Sequence, residues 1–372
     1  MTRVLFVARY RDVTMRRKVD FLALSPNLEM LYVTPARWQD DLLTVTQTSA
    51  HATYRQLAIS MWGSPADPHR TIFRTFDFAM RSFQPQIIHA EEEPDSLSAL
   101  QIVLARRLFA PKAHLYLHTW QNVDRPKSPA VRWVMNRTLA AADLVFCANQ
   151  EAATLLRRRG FAGPLPVIPA VGVDTNLFAP CLKQYPATHM TVLGYIGRLV
   201  PEKGIDTLLQ AFASVRQSAI PAASLRLIGN GPQRAELETL AADLGISSAV
   251  EFVAPMPPAQ IAQAICALDL LILPSRTTPV WKEQLGRVLL EAMASGVLVI
   301  GSDSGAIPEV IEDAGLIFPE NDSAELAQRI VQLATDPDLR QRARTHGLQR
   351  VYEHYSQQVL ATKTAAFYRQ DL

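Results

Sequence analysis

The stretch TVLGYIGRLVPEKGIDTLLQAFASVRQ (191–217) carries the pattern on which the whole chain is built. Residues 191–197 are a short run of Val, Leu, Tyr and Ile closed by a glycine, the make-up of a strand buried on both faces. Residues 206–217 place their apolar side chains at helical spacing. The same strand–turn–helix rhythm continues downstream. Strands are expected at 224–229, 250–253, 269–273, 297–301 and 315–318, with helices at 233–244, 258–267, 286–294, 323–334 and 337–350. Upstream, strands are expected at 3–8, 28–33, 86–90, 113–118, 143–148 and 165–170, with helices at 95–109, 128–141 and 149–159. Ser128-Pro129 reads as an N-cap followed by proline at the first helical position, and Gly160 as a left-handed stop.

Alternating strands and helices imply an α/β fold with a doubly wound parallel sheet. Two such series in 372 residues imply two Rossmann-like domains, because one core rarely grows past about 250–300 residues. Periodicity lapses over 172–190, so the expected division is 1–180, 181–354 and a last helical segment, 355–372, packing back on the first domain. Two such domains facing each other enclose a central cleft, and ligands bind beyond the carboxyl ends of the strands.

Composition narrows the class. At 48% hydrophobic and 19% charged residues the chain is globular and not disordered. No run of about 18 uncharged apolar residues is present to span a membrane, and MTRVLFVARYRDVTMRRK lacks a signal-peptide core, so a cytoplasmic chain is expected. Cys147, Cys181 and Cys266 form no CxxC pair and read as buried free thiols. The eight histidines show no metal-ligand spacing, so neither a metal nor a cofactor is expected. Net charge is +2 overall, but the residues up to 180 are basic and those beyond are acidic. A basic first half suits an anionic or membrane-bound acceptor and peripheral contact with the inner face of the cell membrane; no basic stripe with interleaved aromatics points to nucleic acid.

Two constellations carry chemistry. Gly197-Arg198-Leu199-Val200-Pro201-Glu202-Lys203-Gly204 sets two cations at a strand-to-helix turn, where helix N–H groups also favour anions. That suits a diphosphate. Glu283-Gln284-Leu285-Gly286 precedes a helix that places Glu291 about two turns inside. Free N–H groups of Leu285 and Gly286 are expected as anion donors, and a carboxylate there can accept bonds from vicinal hydroxyls. A two-carboxylate hydrolase is disfavoured, because eight helical positions rise about 12 Å, too far for a tight pair. Gly229-Asn230-Gly231-Pro232 reads as a close-approach turn, and His118 ends a strand at the cleft. The first strand has no glycine, against nicotinamide or flavin binding, and Asp336-Pro337-Asp338 reads as a helix cap and not as a metal-binding DxD.

Together these segments resemble the retaining glycosyltransferases of the GT-B fold, family four, most densely over 191–320. The resemblance runs through GYIGRLVPEKGIDTLLQAF, LIGNGP, DLLILPSRTTPVWKEQLGRVLLEAMASGVLVIGSDSGAIPEVI and AGLIFP. It implies an N-terminal acceptor-binding domain, a C-terminal nucleotide-sugar-binding domain and transfer of a hexose-type sugar from a UDP- or GDP-sugar to a glycan or glycolipid in surface polysaccharide assembly. By the same resemblance, Arg198 and Lys203 hold the donor diphosphate, Glu291 the ribose and Glu283 the transferred sugar. His118 touches that sugar from the other domain, and the base lies near Asn230 and the Val253–Met256 turn. Ala8-Arg9-Tyr10-Arg11-Asp12 stands where the family has a glycine pair. The alternatives kept open are an epimerase or phosphorylase of the same fold and a non-catalytic nucleotide-sugar-binding protein.

Overall fold

The computed structural model describes residues 1–10, 12–39, 44–46, 53–64, 67–181 and 191–370. Arg11 and residues 182–190 of the stretch between the two series lie outside them. The chain divides into two compact units, residues 1–172 with 357–372, and residues 173–356.

The first unit is a six-stranded parallel sheet. Its strands are β1 (Thr2–Val7), β2 (Leu28–Pro35), β3 (Arg55–Ile59), β4 (Ile87–Ala90), β5 (His114–Thr119) and β6 (Leu144–Cys147), in the order β3-β2-β1-β4-β5-β6. One face carries Leu5, Leu31, Ile88 and Leu115 and packs on α2 (Phe76–Phe83), α3 (Leu97–Phe109), α4 (Pro129–Ala141) and α5 (Gln150–Arg158). The other carries Phe6, Tyr32, Tyr116 and Phe146 and packs on α1 (Val13–Ala23) and the last helix of the chain, Gln357–Gln370. That last helix is fixed at both ends. Gln357 Nε2 donates to the Thr14 carbonyl at 2.9 Å, and Tyr368 Oη lies 2.6 Å from His89 Nδ1.

The second unit repeats the plan. Its strands are β7 (Val192–Ile196), β8 (Ser224–Ile228), β9 (Val250–Val253), β10 (Leu270–Leu273), β11 (Leu298–Ser302) and β12 (Leu316–Phe318), in the order β9-β8-β7-β10-β11-β12. Its helices are α6 (Ile205–Ser218), α7 (Arg234–Asp243), α8 (Pro258–Cys266), α9 (Arg287–Ala294), α10 (Ile307–Ile311), α11 (Ser323–Thr335) and α12 (Pro337–Arg350); the chain's last helix, Gln357–Gln370, is α13. In each sheet the winding reverses between the first and fourth strands, which creates a crevice at their carboxyl ends. Helix starts follow local chemistry. Asp336 accepts from Leu339 N at 2.8 Å with Pro337 at the first position, so the DxD stretch is a cap. Ser128 caps α4, and Gly160 takes φ 87° after α5.

Two expectations are corrected, and three elements lie where none was expected. The segment 165–170 is not a strand: only Val167 bridges to Cys147, because Pro164, Pro166 and Pro169 supply no N–H for a ladder. Strand β3 and helices α1 and α2 lie in segments for which no element was expected, although α2 sets Phe76, Ala79, Met80 and Phe83 at helical spacing on its buried side. Cys181 and Cys266 are joined in a disulfide across a sequence separation of 85, with Cα atoms 5.6 Å apart, and only Cys147 is a buried free thiol. Folding brings the end of α8 to Cys181, a proximity that spacing along the chain does not reveal. Among the described residues no helix is long and apolar enough to cross a membrane.

Candidate functional site

The most developed polar cluster of the second unit lies beyond β7 and β10, at the point where the winding reverses. Beyond β7 the backbone is held tightly. Tyr195 Oη donates to the Arg198 carbonyl at 2.6 Å, and Leu199 N donates to the Asn230 carbonyl at 2.9 Å. Gly229 has φ 151°, and a Cβ there would lie 1.8 Å from the Gly197 carbonyl oxygen. The turns after β7 and β8 therefore touch backbone to backbone. Gly229 N also donates to the Val253 carbonyl at 2.9 Å, which brings in the end of β9.

Lys203 is the hub of the site. Its Nζ donates to Glu283 Oε2 at 2.6 Å, and it lies 4.7 Å from the centroid of the Trp281 ring. Ser275 Oγ donates to the same carboxylate oxygen at 2.8 Å. Burial alone would raise the Glu283 carboxyl; Lys203, Ser275 and the Gly286 N–H outweigh it and hold the group below the usual range, ionised. Trp281 is presented by a tight turn in which Thr278 N donates to the Trp281 carbonyl at 2.8 Å. Gly286 takes φ 68° and caps α9, so the chain can swing from the Glu283 loop into the helix.

The remaining expected residues sit nearby with their own partners. Arg198 pairs with Glu202 at 3.5 Å and Glu291 with Arg287 at 3.0 Å. Glu291 is a little over one turn into α9, not two, because the helix starts only at Arg287. The expectation of a free Gly286 N–H is also corrected, since the Glu283 carboxylate takes it. Leu285 is buried, so its side chain belongs to the core. Asn230 is exposed and its Oδ1 accepts from Gly231 N. Gln284 and Met256 are half-buried.

His118 belongs to the first unit, one residue inside the end of β5, with 1% of its surface exposed. Burial and the charge of Lys18 push its imidazole down to about 3, so it is neutral. Apart from a loose approach to the Ile168 backbone, neither ring nitrogen meets a partner. Around it, the run Glu91-Glu92-Glu93-Pro94-Asp95 leaves the end of β4, and each acid is answered by a different element. Glu91 takes Lys18 at 3.1 Å and Tyr10 Oη at 2.5 Å; Glu92 takes Arg9 at 2.9 Å. Glu93 takes the Thr119 hydroxyl and the Trp120 N–H, both at 2.7 Å, and Asp95 takes Lys127 at 2.5 Å. Glu93 therefore ties down the backbone that follows His118. Among the described residues no group of three His, Cys, Asp or Glu side chains could hold a metal ion.

The neutral state of His118 has a measurable consequence. A histidine whose folded value lies below its unfolded value of about 6.5 supports folding above that value and withdraws support as pH falls. Each pH unit below about 6.5 should cost up to about 1.4 kcal/mol. Glu93, pushed up to about 7 by burial, works in the opposite sense, so the contribution must be read by difference. Denaturant titrations of His118→Phe and the parent across this range should show the variant losing less stability on acidification. Parallel curves would refute it.

Residues 184–350 match the family described as Glycosyl transferases group 1, and residues 17–170 match the Glycosyl transferase 4-like domain. The chain belongs to the group 1 glycosyltransferases. It is 31% identical over 255 residues to a GDP-mannose-dependent alpha-(1-6)-phosphatidylinositol monomannoside mannosyltransferase of Mycobacterium tuberculosis, covering 65% of this chain and 66% of that one. It is 36% identical over 161 residues to a D-inositol 3-phosphate glycosyltransferase of Corynebacterium kroppenstedtii, covering 41% and 34%. The chain thus spans less than two thirds of the length of these relatives. Among solved structures, sucrose-phosphate synthase from Thermosynechococcus elongatus superposes with a TM-score of 0.75 at 23% identity, over 100% of this chain and 99% of that one, which shows the shared GT-B fold.

In this group 1 glycosyltransferase the structure brings Lys203 and Glu283 into contact and leaves Arg198 and Glu291 in separate ion pairs. Sequence reading missed Ser275, Trp281 and Glu93. Ser275 and Trp281 lie in the loop PSRTTPVWK, inside the stretch that carries the family resemblance, where no spacing marks either side chain; Glu93 lies in an acidic run that has the look of a solvated surface.

Proposed function

We propose that this chain is a retaining, metal-independent hexosyltransferase that uses a nucleotide-diphospho-sugar and acts on a glycan or lipid-linked glycan during assembly of a surface polysaccharide or glycolipid. The observation that carries the reading is the Lys203–Glu283–Ser275 cluster at the winding reversal of the second sheet. A cation held in place by a buried carboxylate is preorganised for charge that develops nearby. In the reaction the bond between the sugar C1 and the diphosphate oxygen breaks, and the acceptor hydroxyl oxygen bonds to C1 on the same face. The hydroxyl proton passes to the departing phosphate oxygen. The products are the glycosylated acceptor and a nucleoside diphosphate. Lys203 and Arg198 would stabilise the growing phosphate charge. Glu283 would receive hydroxyls of the sugar, Glu291 those of the ribose, with the base near Asn230, Val253 and Met256. His118, neutral and buried, would contact the sugar as a hydrogen-bonding group and not as a cation.

GDP-mannose is the first donor to test, because the mycobacterial relative is named for it; UDP-hexoses come second. Ligands that bind only the native state raise the melting temperature, by about 2.7 kcal/mol of stabilisation at a hundred times Kd. One nucleotide sugar should raise it by several degrees, equally with and without EDTA. Loss of the shift in EDTA would remove metal independence, and no shift with any nucleotide sugar at millimolar concentration would remove the donor site. Lipid linkage of the acceptor, with peripheral contact of the basic first unit at a membrane, is supported by the relative's phosphatidylinositol-based acceptor.

A further inference from the structure

Helices α2, α3 and α4 lie side by side on one face of the first sheet, and their outer surface is not that of an ordinary solvated layer. Each turns large apolar side chains to solvent: Phe78 of α2 is 63% exposed, Leu104 and Leu108 of α3 are 53% and 71%, and Trp133 of α4 is 54%. The two leucines are four residues apart, so they share one side of α3. Cations surround them. Arg81, Arg107, Arg132 and Arg137 are all exposed, against Asp77 as the one acid on these three helices. Among the described residues none of the four arginines pairs with a carboxylate. Two lie over aromatic rings, Arg81 4.3 Å from the Phe109 centroid and Arg137 5.7 Å from that of Trp133. The other cation of α3, Arg106, turns inward to the Ala113 and Ala141 carbonyls and takes no part.

We propose that the outer face of α2, α3 and α4 docks on an anionic phospholipid surface, with Leu104, Leu108, Phe78 and Trp133 entering the headgroup boundary and the four arginines meeting lipid phosphates. This rests on the lipid-linked acceptor reading for the choice of partner; the face itself is defined by its side chains alone. Apolar residues set between unpaired cations, with an aromatic ring at headgroup depth, are what such a boundary stabilises. A second copy is the poorer occupant, since opposing two such faces would crowd eight arginines together. The other exposed apolar residues of the α1 region, Val13 and Leu24, sit at opposite ends of that helix and make no such face.

The test is flotation of the full chain with vesicles of phosphatidylcholine, alone or mixed with phosphatidylglycerol. Binding should require phosphatidylglycerol and weaken with salt. Arg107→Glu with Arg137→Glu should weaken it by at least about fivefold for each cation removed. Leu104→Glu with Leu108→Glu should reduce it at least as far, while Val13→Glu with Leu24→Glu should leave it unchanged. Because these side chains are exposed, every variant should melt with the parent. Absence of binding to the mixed vesicles, or parent-level binding by both face variants, overturns the proposal. So does a parent dimer that Leu104→Glu dissociates, which would make the face a contact between copies. Nucleotide-sugar thermal shifts on the same variants separate the two readings: lipid binding without donor binding removes the transferase and keeps the face, and the converse removes the face alone.

Discussion

Lys203→Ala is expected to lower kcat/KM for sugar transfer by about 10²–10³-fold, the cost of removing one preorganised donor to a developing oxyanion. The loss should fall mainly on kcat, because phosphate charge is greatest as the C–O bond breaks. Lys203→Arg should restore little. The lysine is a compact point charge held at 2.6 Å from Glu283 and beneath the Trp281 ring, and a planar guanidinium does not fit that geometry. Glu283 would remain buried without the cation that lowers its carboxyl most, so that carboxyl should rise in the variant. Steady-state kinetics beside calorimetric binding of the nucleoside diphosphate separates the two effects. A kcat/KM within threefold of the parent would exclude Lys203 from the reaction.

The second large effect is on stability. Lys18 is 1% exposed and Glu91 is buried with it, joined at 3.1 Å, with Tyr10 Oη on the other carboxylate oxygen. Removing one partner of a buried pair leaves an uncompensated charge and costs about 3–5 kcal/mol. Lys18→Met should therefore lower the melting temperature of the first unit by roughly 10 °C, at about 2–4 °C for each kcal/mol in a unit of this size. Replacing both residues, Lys18→Met with Glu91→Leu, should recover much of the loss, because an apolar pair does not have to be desolvated. Thermal melts of the three proteins decide it. A single variant that melts with the parent would mean that water reaches the pair.

How far the sequence was legible depended on where each element's reason lies. Strands β7, β10, β11 and β12 were readable as apolar runs, the mark of a strand covered on both faces, while β8 (SLRLI) and β9 (VEFV) were readable by their alternation of apolar and polar residues. Strand β3 was missed because Arg55–Ile59 lies at the sheet edge and mixes polar with apolar residues. Helix α1 was missed because its Arg, Lys and Asp break the apolar period, although Lys18 is in fact buried. In the site, the spacing Glu283-x7-Glu291 and the Arg198–Lys203 turn are local and were visible. What joins Lys203 to Glu283 is a separation of 80 residues, and the acids at 91–95 find Arg9, Lys18 and Lys127 from 32 to 83 positions away. A side chain's charge is written in the sequence, but its partner is chosen by topology. The disulfide between Cys181 and Cys266 makes the same point.

The helix Gln357–Gln370 completes the first unit although it follows the whole of the second in the chain. On the ribosome the sheet of the first unit therefore emerges with the face built from Phe6, Tyr32 and Tyr116 only partly covered. Residues 173–356 must be synthesised before the missing helix arrives, on the order of tens of seconds at cellular rates of elongation. The second unit is contiguous and can close in that interval; the first waits with an aromatic surface exposed. The order of synthesis is thus the reverse of the order in which the two halves can finish folding, and the early half is the one that would engage chaperones during translation.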